Sequence, residues 1–421
     1  MDQNAIMDNV RQLVKPYKDR ADEQLLVDRA KAANYVLLGE ASHGTSEFYT
    51  HRAALSKRLI AEHGFKFIAV EGDWPSCYTL NRYVKGYVDT GTDAREALQD
   101  FNRWPTWIWA NREIAEFAEW LREYNAGLAE DEKVGFYGID VYSLWESMNE
   151  ILRYLGTKDD GDLEAAKRAF ECFEPFGGDE QRYGISASFY GECCEDEVVE
   201  LLRKLQDKWK ASAPEDRENA LSAELNAMAI KGAEAYYRTM IRHDAESWNV
   251  RDRHMVEALE KLMAFHGEGA RAVVWEHNTH IGDARATDMA EDGMLNVGQL
   301  LREKHGDKVY AVGFGTYEGT VIAARAWGEP LKEMKVPPAI ANSWEEILHR
   351  IGADDKLLLF DKDETLLADY LFGHRAIGVV YHPERERGNY VPSRIAKRYD
   401  AFLYIDRTKA LSPVAVEVLA T

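Results

Sequence analysis

The chain has 421 residues, 46% of them hydrophobic, and 73 acidic against 52 basic side chains give a formal charge of −21. That composition makes it globular rather than disordered, and its length exceeds what one core usually organises, so a large domain with an insertion, or two domains, is expected. The negative field disfavours nucleic acid and anionic bilayers as partners and suits a neutral or cationic small-molecule substrate.

Residues 1–11 carry no basic flank followed by an apolar core, and no apolar stretch is long enough to span a bilayer, which reads as a soluble, cytoplasmic protein. The first buried-strand pattern is Tyr35-Val36-Leu37-Leu38-Gly39, and a helical pattern follows over 46–62. Further strand patterns lie at 66–71 and 134–139, with helices expected over 75–85 and 107–126 between them, a βαβ signal. From about 143 to 266 no strand pattern occurs. Helical periods fill that interval instead, through Val198, Leu201, Leu202, Leu205 and Trp209, then Leu221, Leu225, Met228, Gly232, Tyr236 and Met240. Asp162 and Ser247 are expected N-caps there.

Strand patterns return at 271–276, 309–314, 356–360, 376–381 and 402–405, with an antiparallel strand expected at 319–326 and a connector at 335–339. Ser343 with Glu346 forms a capping box before the apolar face of Ile347, Leu348 and Ile351. The expected fold is therefore α/β, a three-layer core around a largely parallel sheet. That core is discontinuous, 1–142 and 267–421, and a mostly α-helical insertion occupies 143–266. The four cysteines, Cys77, Cys172, Cys193 and Cys194, lack metal-ligand spacing and read as reduced buried thiols.

Four strand patterns end in acids: Glu40, Glu71, Asp140 and Glu276. In a parallel sheet such exits share one edge, where ligands bind. His43 follows Glu40 by three residues, and His277-Asn278-Thr279-His280 follows Glu276. A single acid after a strand is more often a cap or a solvated loop residue, but several ionisable groups converging on one rim cost stability unless paired or used. Arg52 falls on the apolar stripe of the helix with Phe48, Leu55 and Leu59, so it either covers apolar surface with its stem or pairs with Glu40 or Glu71.

Trp74 after Glu71-Gly72-Asp73, and Trp104 and Trp107 in Phe101-Asn102-Arg103-Trp104-Pro105-Thr106-Trp107-Ile108-Trp109, serve either core packing or an apolar wall for a bulky ligand. The charged stretch 381–390 is either solvated surface or a second wall or lid. No Gly-x-Ser-x-Gly elbow, His-Glu-x-x-His helix, dinucleotide fingerprint or phosphate-binding loop is present, which counts against serine hydrolase, zinc protease and nucleotide chemistries. Three readings stay open from the residues: water activation by His43, a metal-dependent hydrolase of an ester using His43, His277 and His280 with Glu40 or Glu71, and a non-catalytic binder of a bulky apolar ligand.

Taken in order, Leu38-Gly39-Glu40-Ala41-Ser42-His43-Gly44, Ala69-Val70-Glu71-Gly72-Asp73, Gly138-Ile139-Asp140, Ser247-Trp248-Asn249-Val250-Arg251-Asp252-Arg253-His254-Met255 and Trp275-Glu276-His277-Asn278-Thr279-His280 make a sequence that resembles the erythromycin esterase family. The resemblance implies an α/β core with a helical insertion and hydrolysis of a macrolide lactone ester without cofactor or obligatory metal. It assigns His43 as general base beside Glu40, with Arg52, Glu71, His277 and His280 completing the polar network. Trp74, Trp104, Trp107 and Asp140 are then expected to bind substrate, a bulky, apolar molecule whose basic amino sugar suits an acidic site.

Overall fold

The computed structural model describes residues 3–87, 92–157, 162–190, 194–196, 198–199, 201, 203, 217–241, 244–361 and 366–415. The chain divides into two compact units, one of residues 1–69, 82–135 and 269–418, the other of residues 70–81, 136–268 and 419–421. The strands are β1 (Val14–Pro16), β2 (Tyr35–Leu38), β3 (Phe67–Val70), β4 (Gly135–Gly138), β5 (Ala272–Trp275), β6 (Val309–Ala323), β7 (Lys332–Val336), β8 (Lys356–Leu359), β9 (Phe372–Arg375), β10 (Tyr390–Ser393) and β11 (Ala401–Thr408).

In the first unit the order is β1-β8-β11-β6-β2-β5. The centre is parallel, β11 with β6, β6 with β2 and β2 with β5, while β8, β1 and β7 run antiparallel to their neighbours. The fold is mixed α/β with a mostly parallel sheet. Continuous apolar runs suit these central strands because both faces are covered. Val36, Leu37 and Leu38 are buried, each contributing about 1.5–3 kcal/mol by leaving water. Register sets Leu38 opposite Trp275, so the residues after β2 and β5 leave the sheet side by side.

The helix Ser46–His63 follows β2. Its buried positions include Phe48, Tyr49, Arg52, Leu55, Leu59 and Ile60, and Gly64, left-handed at φ 69°, stops it by returning its N–H to the Ile60 carbonyl. Gly44 is required for a different reason: a Cβ there would lie 1.9 Å from the Ile322 carbonyl oxygen. The loop carrying His43 thus packs backbone to backbone on β6, where Gly44 O accepts the Ile322 and Leu411 N–H groups.

The second unit is mainly helical: Leu144–Gly156, Asp162–Phe170, Glu180–Tyr190, Arg217–Met240 and Asp244–His266. Leu144, Ile151, Phe173, Tyr183, Ile230 and Tyr237 belong to its apolar core. The Tyr183 hydroxyl donates to Glu234, which also receives Arg238. Its strand residues meet through Ile139 N–H to Val70 O and Asp140 N–H to Gly72 O.

Several sequence expectations change. The expected strand at 309–314 and the first part of that at 319–326 lie in one continuous β6, and part of the supposed connector at 335–339 belongs to β7, because the second half of β6 offers that segment an edge to pair with. The strand expected at 376–381 lies earlier, as β9, paired with β10; Ile377 and Val380 make only single bridges. The 107–126 helix is a short 3-10 turn, Thr106–Ile108, then a helix Arg112–Asn125 capped by Asn111. Ser247 lies inside its helix, whereas Ser343 caps Trp344–Ile351 as the capping box requires. Cys172 and Cys194 are not reduced thiols but a disulfide with Cα atoms 5.9 Å apart, brought together by the packing of segments 22 residues apart; Cys77 is the buried free thiol. Cys193, Leu202, Leu205 and Trp209 lie outside the described residues.

Candidate active site

Glu40 and His43 sit where β2 leaves the sheet. The Glu40 Oε1 atom is 2.9 Å from His43 Nδ1, and Glu40 Oε2 accepts Arg52 Nη2 at 2.7 Å. A carboxylate has no hydrogen to give, so His43 donates from Nδ1 and its basic lone pair lies on Nε2. Exposure is graded along this line: the Arg52 side chain is 0% exposed, Glu40 2% and His43 12%. The imidazole is the group presented outward. Arg52 resolves as an ion pair with Glu40, its guanidinium 4.3 Å from the Tyr49 ring centroid and 4.9 Å from that of Trp275.

His277 lies beside His43, ring centroids 4.9 Å apart. It caps the short helix Asn278–Ile281: its Nδ1 lies 2.8 Å from Thr279 Oγ1 and 3.4 Å from Thr279 N, and where Nδ1 accepts from these donors the ring proton is on Nε2. His280 is buried on the same turn. Asn278 ties the turn to the first motif, because its N–H donates to the Glu40 carbonyl at 2.9 Å. Glu276, at the end of β5, is fully buried.

Glu71 and Asp140 belong to the second unit. Both accept from Arg251, which reaches Glu71 Oε1 at 2.6 Å and Asp140 at 2.7 and 2.8 Å, with its guanidinium 4.8 Å from the Tyr142 ring centroid. Burial opposes the Arg251 charge, but Asp140, Tyr142 and Glu71 outweigh it and hold its pKa well above the ordinary value. Sequence reasoning assigned Arg251 no role of its own. The signal was available, since Arg251 stands in the Ser247–Met255 motif and a buried acid pair needs a cation.

The aromatic residues divide. Trp74 is buried within its unit, stacked with Tyr78 and Tyr137 and donating to Ser222. Trp107 is also buried, whereas Trp104 is half-buried and lies against the exposed Trp327, centroids 4.4 Å apart. The charged stretch 381–390 is anchored by Glu386, which receives Arg375 at 2.8 Å, Tyr390 at 3.1 Å and the Tyr381 hydroxyl.

The family profile described as erythromycin esterase matches residues 60–408. The chain belongs to the erythromycin esterase family. The matched span begins after Glu40, His43 and Arg52 and contains Glu71, Asp140, Arg251, His277 and His280. YbfO of Bacillus subtilis (strain 168), provisionally named a hydrolase, is 22% identical over 340 residues, 75% of this chain and 72% of its own. A solved succinoglycan biosynthesis protein has a TM-score of 0.80 at 21% identity, covering 98% of both chains. A Bacillus cereus protein reaches 0.79 at 20% identity, covering 99% of this chain and 100% of its own. A histidine-to-asparagine mutant of the erythromycin esterase EreC, in its open conformation, reaches 0.67 at 18% identity, covering 96% and 97%. The solved structures support the shared fold. Family membership and the hydrolase relative support a hydrolase of this family. Among the described residues no helix is long and apolar enough to cross a membrane.

Proposed function

We propose that this erythromycin esterase family member is a cytoplasmic, metal-independent carboxylic ester hydrolase that opens the lactone of a macrolide, with His43 as general base. The supporting observation is the grip of Glu40 on two groups at once, His43 Nδ1 and Arg52 Nη2. One carboxylate oxygen fixes the imidazole tautomer and the other is held by a buried cation, so the basic nitrogen points away from the pair.

In this reading His43 Nε2 takes a proton from water, and the oxygen attacks the ester carbonyl. His277, whose proton is on Nε2, donates to the developing oxyanion, and His280 completes that side. When the tetrahedral intermediate collapses, the imidazolium of His43 returns its proton to the leaving alkoxide. One water is consumed, and an acid and an alcohol result. The Trp104 and Trp327 pair offers an apolar platform for a macrocycle, and the net charge of −21 favours a substrate bearing an amine. The helical residues 143–266 are an insertion into the α/β core of 1–142 and 267–421 in this proposal.

The test is incubation with a panel of macrolides, followed by mass spectrometry. Addition of one water is expected with the native protein and after chelation, and loss of at least about 10²-fold in rate is expected in His43→Ala. Survival of every macrolide at high protein concentration would sink the substrate class. Full activity in His43→Ala would sink the mechanism, and activity abolished by chelator and restored by a divalent metal would replace it with metal-dependent hydrolysis.

A further inference from the structure

We propose that Glu345 and His374 are positioning residues of the hydrolytic site, acting through Asn278 to seat Glu40 and the turn 277–280. This rests on the reading of His43 as the base. Asn278 is fully buried and its side-chain amide is paired like a strand residue with β6: Nδ2 donates to Phe314 O at 2.6 Å, and Oδ1 accepts Phe314 N–H at 3.2 Å. Flipping that amide would lose both bonds. Its orientation is therefore fixed, and the remaining Nδ2 hydrogen meets His374 Nε2 at 3.1 Å.

That contact decides the state of His374. Its Nε2 must accept, so the ring proton lies on Nδ1, where Glu345 Oε1 receives it at 2.6 Å. The same carboxylate oxygen accepts the Arg375 N–H at 2.9 Å. Glu345 and His374 are both 0% exposed. The groups facing His374 are Glu345 from the helix Trp344–Ile351, Arg375 beside it on β9, Arg398 and Tyr399 near the start of β11, and the Phe402 ring. Burial keeps the His374 pKa below its ordinary 6.5, against the pull of Glu345. A second ring proton would set Nε2–H against Nδ2–H, two donors with no acceptor between them.

The far end of the chain of contacts is the backbone of Asn278. Its N–H holds the Glu40 carbonyl, and its carbonyl accepts Arg398 Nη2 at 2.9 Å, while Arg398 Nη1 donates to Ser393 Oγ at 2.6 Å. The fit against the Glu40 strand exit is close: a Cβ on Gly39 would lie 2.1 Å from Asn278 Oδ1. A packed apolar core needs no ionisable pair at this depth, and burying one adds no net stability over apolar side chains of similar volume. What the pair does add is a third hold on an amide that β6 has already oriented, and with it a firmer seat for the turn that meets Glu40.

The experiment uses the full chain with 15N-labelled histidine, comparing the native protein with His374→Leu and His374→Gln. At neutral pH the native His374 should show a protonated Nδ1 and an unprotonated Nε2. His374→Leu should shift the ring nitrogen signals of His43 and His277 and lower kcat by about 10–100-fold, with KM changed much less. His374→Gln, which can both accept from Asn278 and donate to Glu345, should restore signals and kcat. A native His374 protonated on Nε2, or a His374→Leu protein with unchanged His43 and His277 signals, would overturn the proposal. Should His374→Leu fail to fold, Asn278→Asp exchanges the donor for an acceptor and should move a proton onto His374 Nε2; an unprotonated Nε2 in that variant would overturn it. A native protein that hydrolyses no ester defeats the hydrolytic reading, whereas the nitrogen signals still decide the positioning claim.

Discussion

Each unit carries a buried carboxylate–guanidinium pair at strand ends, yet the two are built for different work. In the first, Arg52 takes only one oxygen of Glu40 and leaves the other to an imidazole that reaches the surface. In the second, Arg251 is shared between Glu71 and Asp140, so two carboxylates converge on one cation. The first arrangement can pass a proton outward, because one member of the trio is an imidazole, whose second ring nitrogen can take up and release a proton. The second fixes charge in place. Similar ingredients at similar positions therefore do not imply similar roles; the third partner decides.

The sharpest way to break this contrast is to remove one charge from each group. Glu40→Gln should lower kcat by about 10²–10⁴-fold, since the amide keeps the shape but loses its hold on tautomer and charge, and it should also cost stability by leaving the buried Arg52 without its counter-ion. Full activity in Glu40→Gln would erase the distinction. Arg251→Met should cost about 3–5 kcal/mol of unfolding free energy by removing the cation that two buried carboxylates share. A stable variant, measured by urea denaturation, would show that Glu71 and Asp140 need no cation.

A smaller effect follows from pH. Burial pushes His254, in the second unit, from 6.5 down to about 4, opposed by the nearby Asp140, and burial does the same to His51 in the first. Above 6.5 these rings are neutral whether the chain is folded or not. As pH falls the unfolded chain takes up protons first, so stability is lost between about 6.5 and 4, with His254 contributing about 3 kcal/mol once both states are protonated. Denaturation at pH 7 and pH 4.5 should show a smaller difference in His254→Gln than in the native protein; an identical difference would remove His254 from the account. The smallest change is expected at the surface. Trp104→Ala should raise KM for a bulky substrate several-fold, about 1 kcal/mol, and leave kcat unchanged; an unaltered KM would mean that the Trp104–Trp327 pair binds nothing.

Much of the fold was legible because the central strands are continuous apolar runs. Tyr35–Leu38 and Ala272–Trp275 stand out for that reason, and both are buried throughout. The misplaced elements are those whose conformation depends on a neighbour. Lys332–Val336 alternates exposed and buried positions only because β6 continues far enough to pair with it. The Cys172–Cys194 bond was hidden for the same reason, since spacing alone cannot say which thiols meet.

At the site, the sequence by itself determined that an acid and a histidine leave β2 together and that two further histidines follow β5, because a strand exit is a local, readable event. It also placed Arg52 on the inward stripe of its helix through the 3.6-residue period. Only the tertiary structure decided that Arg52 pairs with Glu40, that Arg251 joins Glu71 to Asp140, and that His374 and Glu345 lie behind Asn278. Those partners stand 12, 180, 111, 96 and 29 positions apart in the chain. A buried charge or amide must find a partner somewhere, but which one it finds depends on how the backbone brings distant segments within hydrogen-bonding reach.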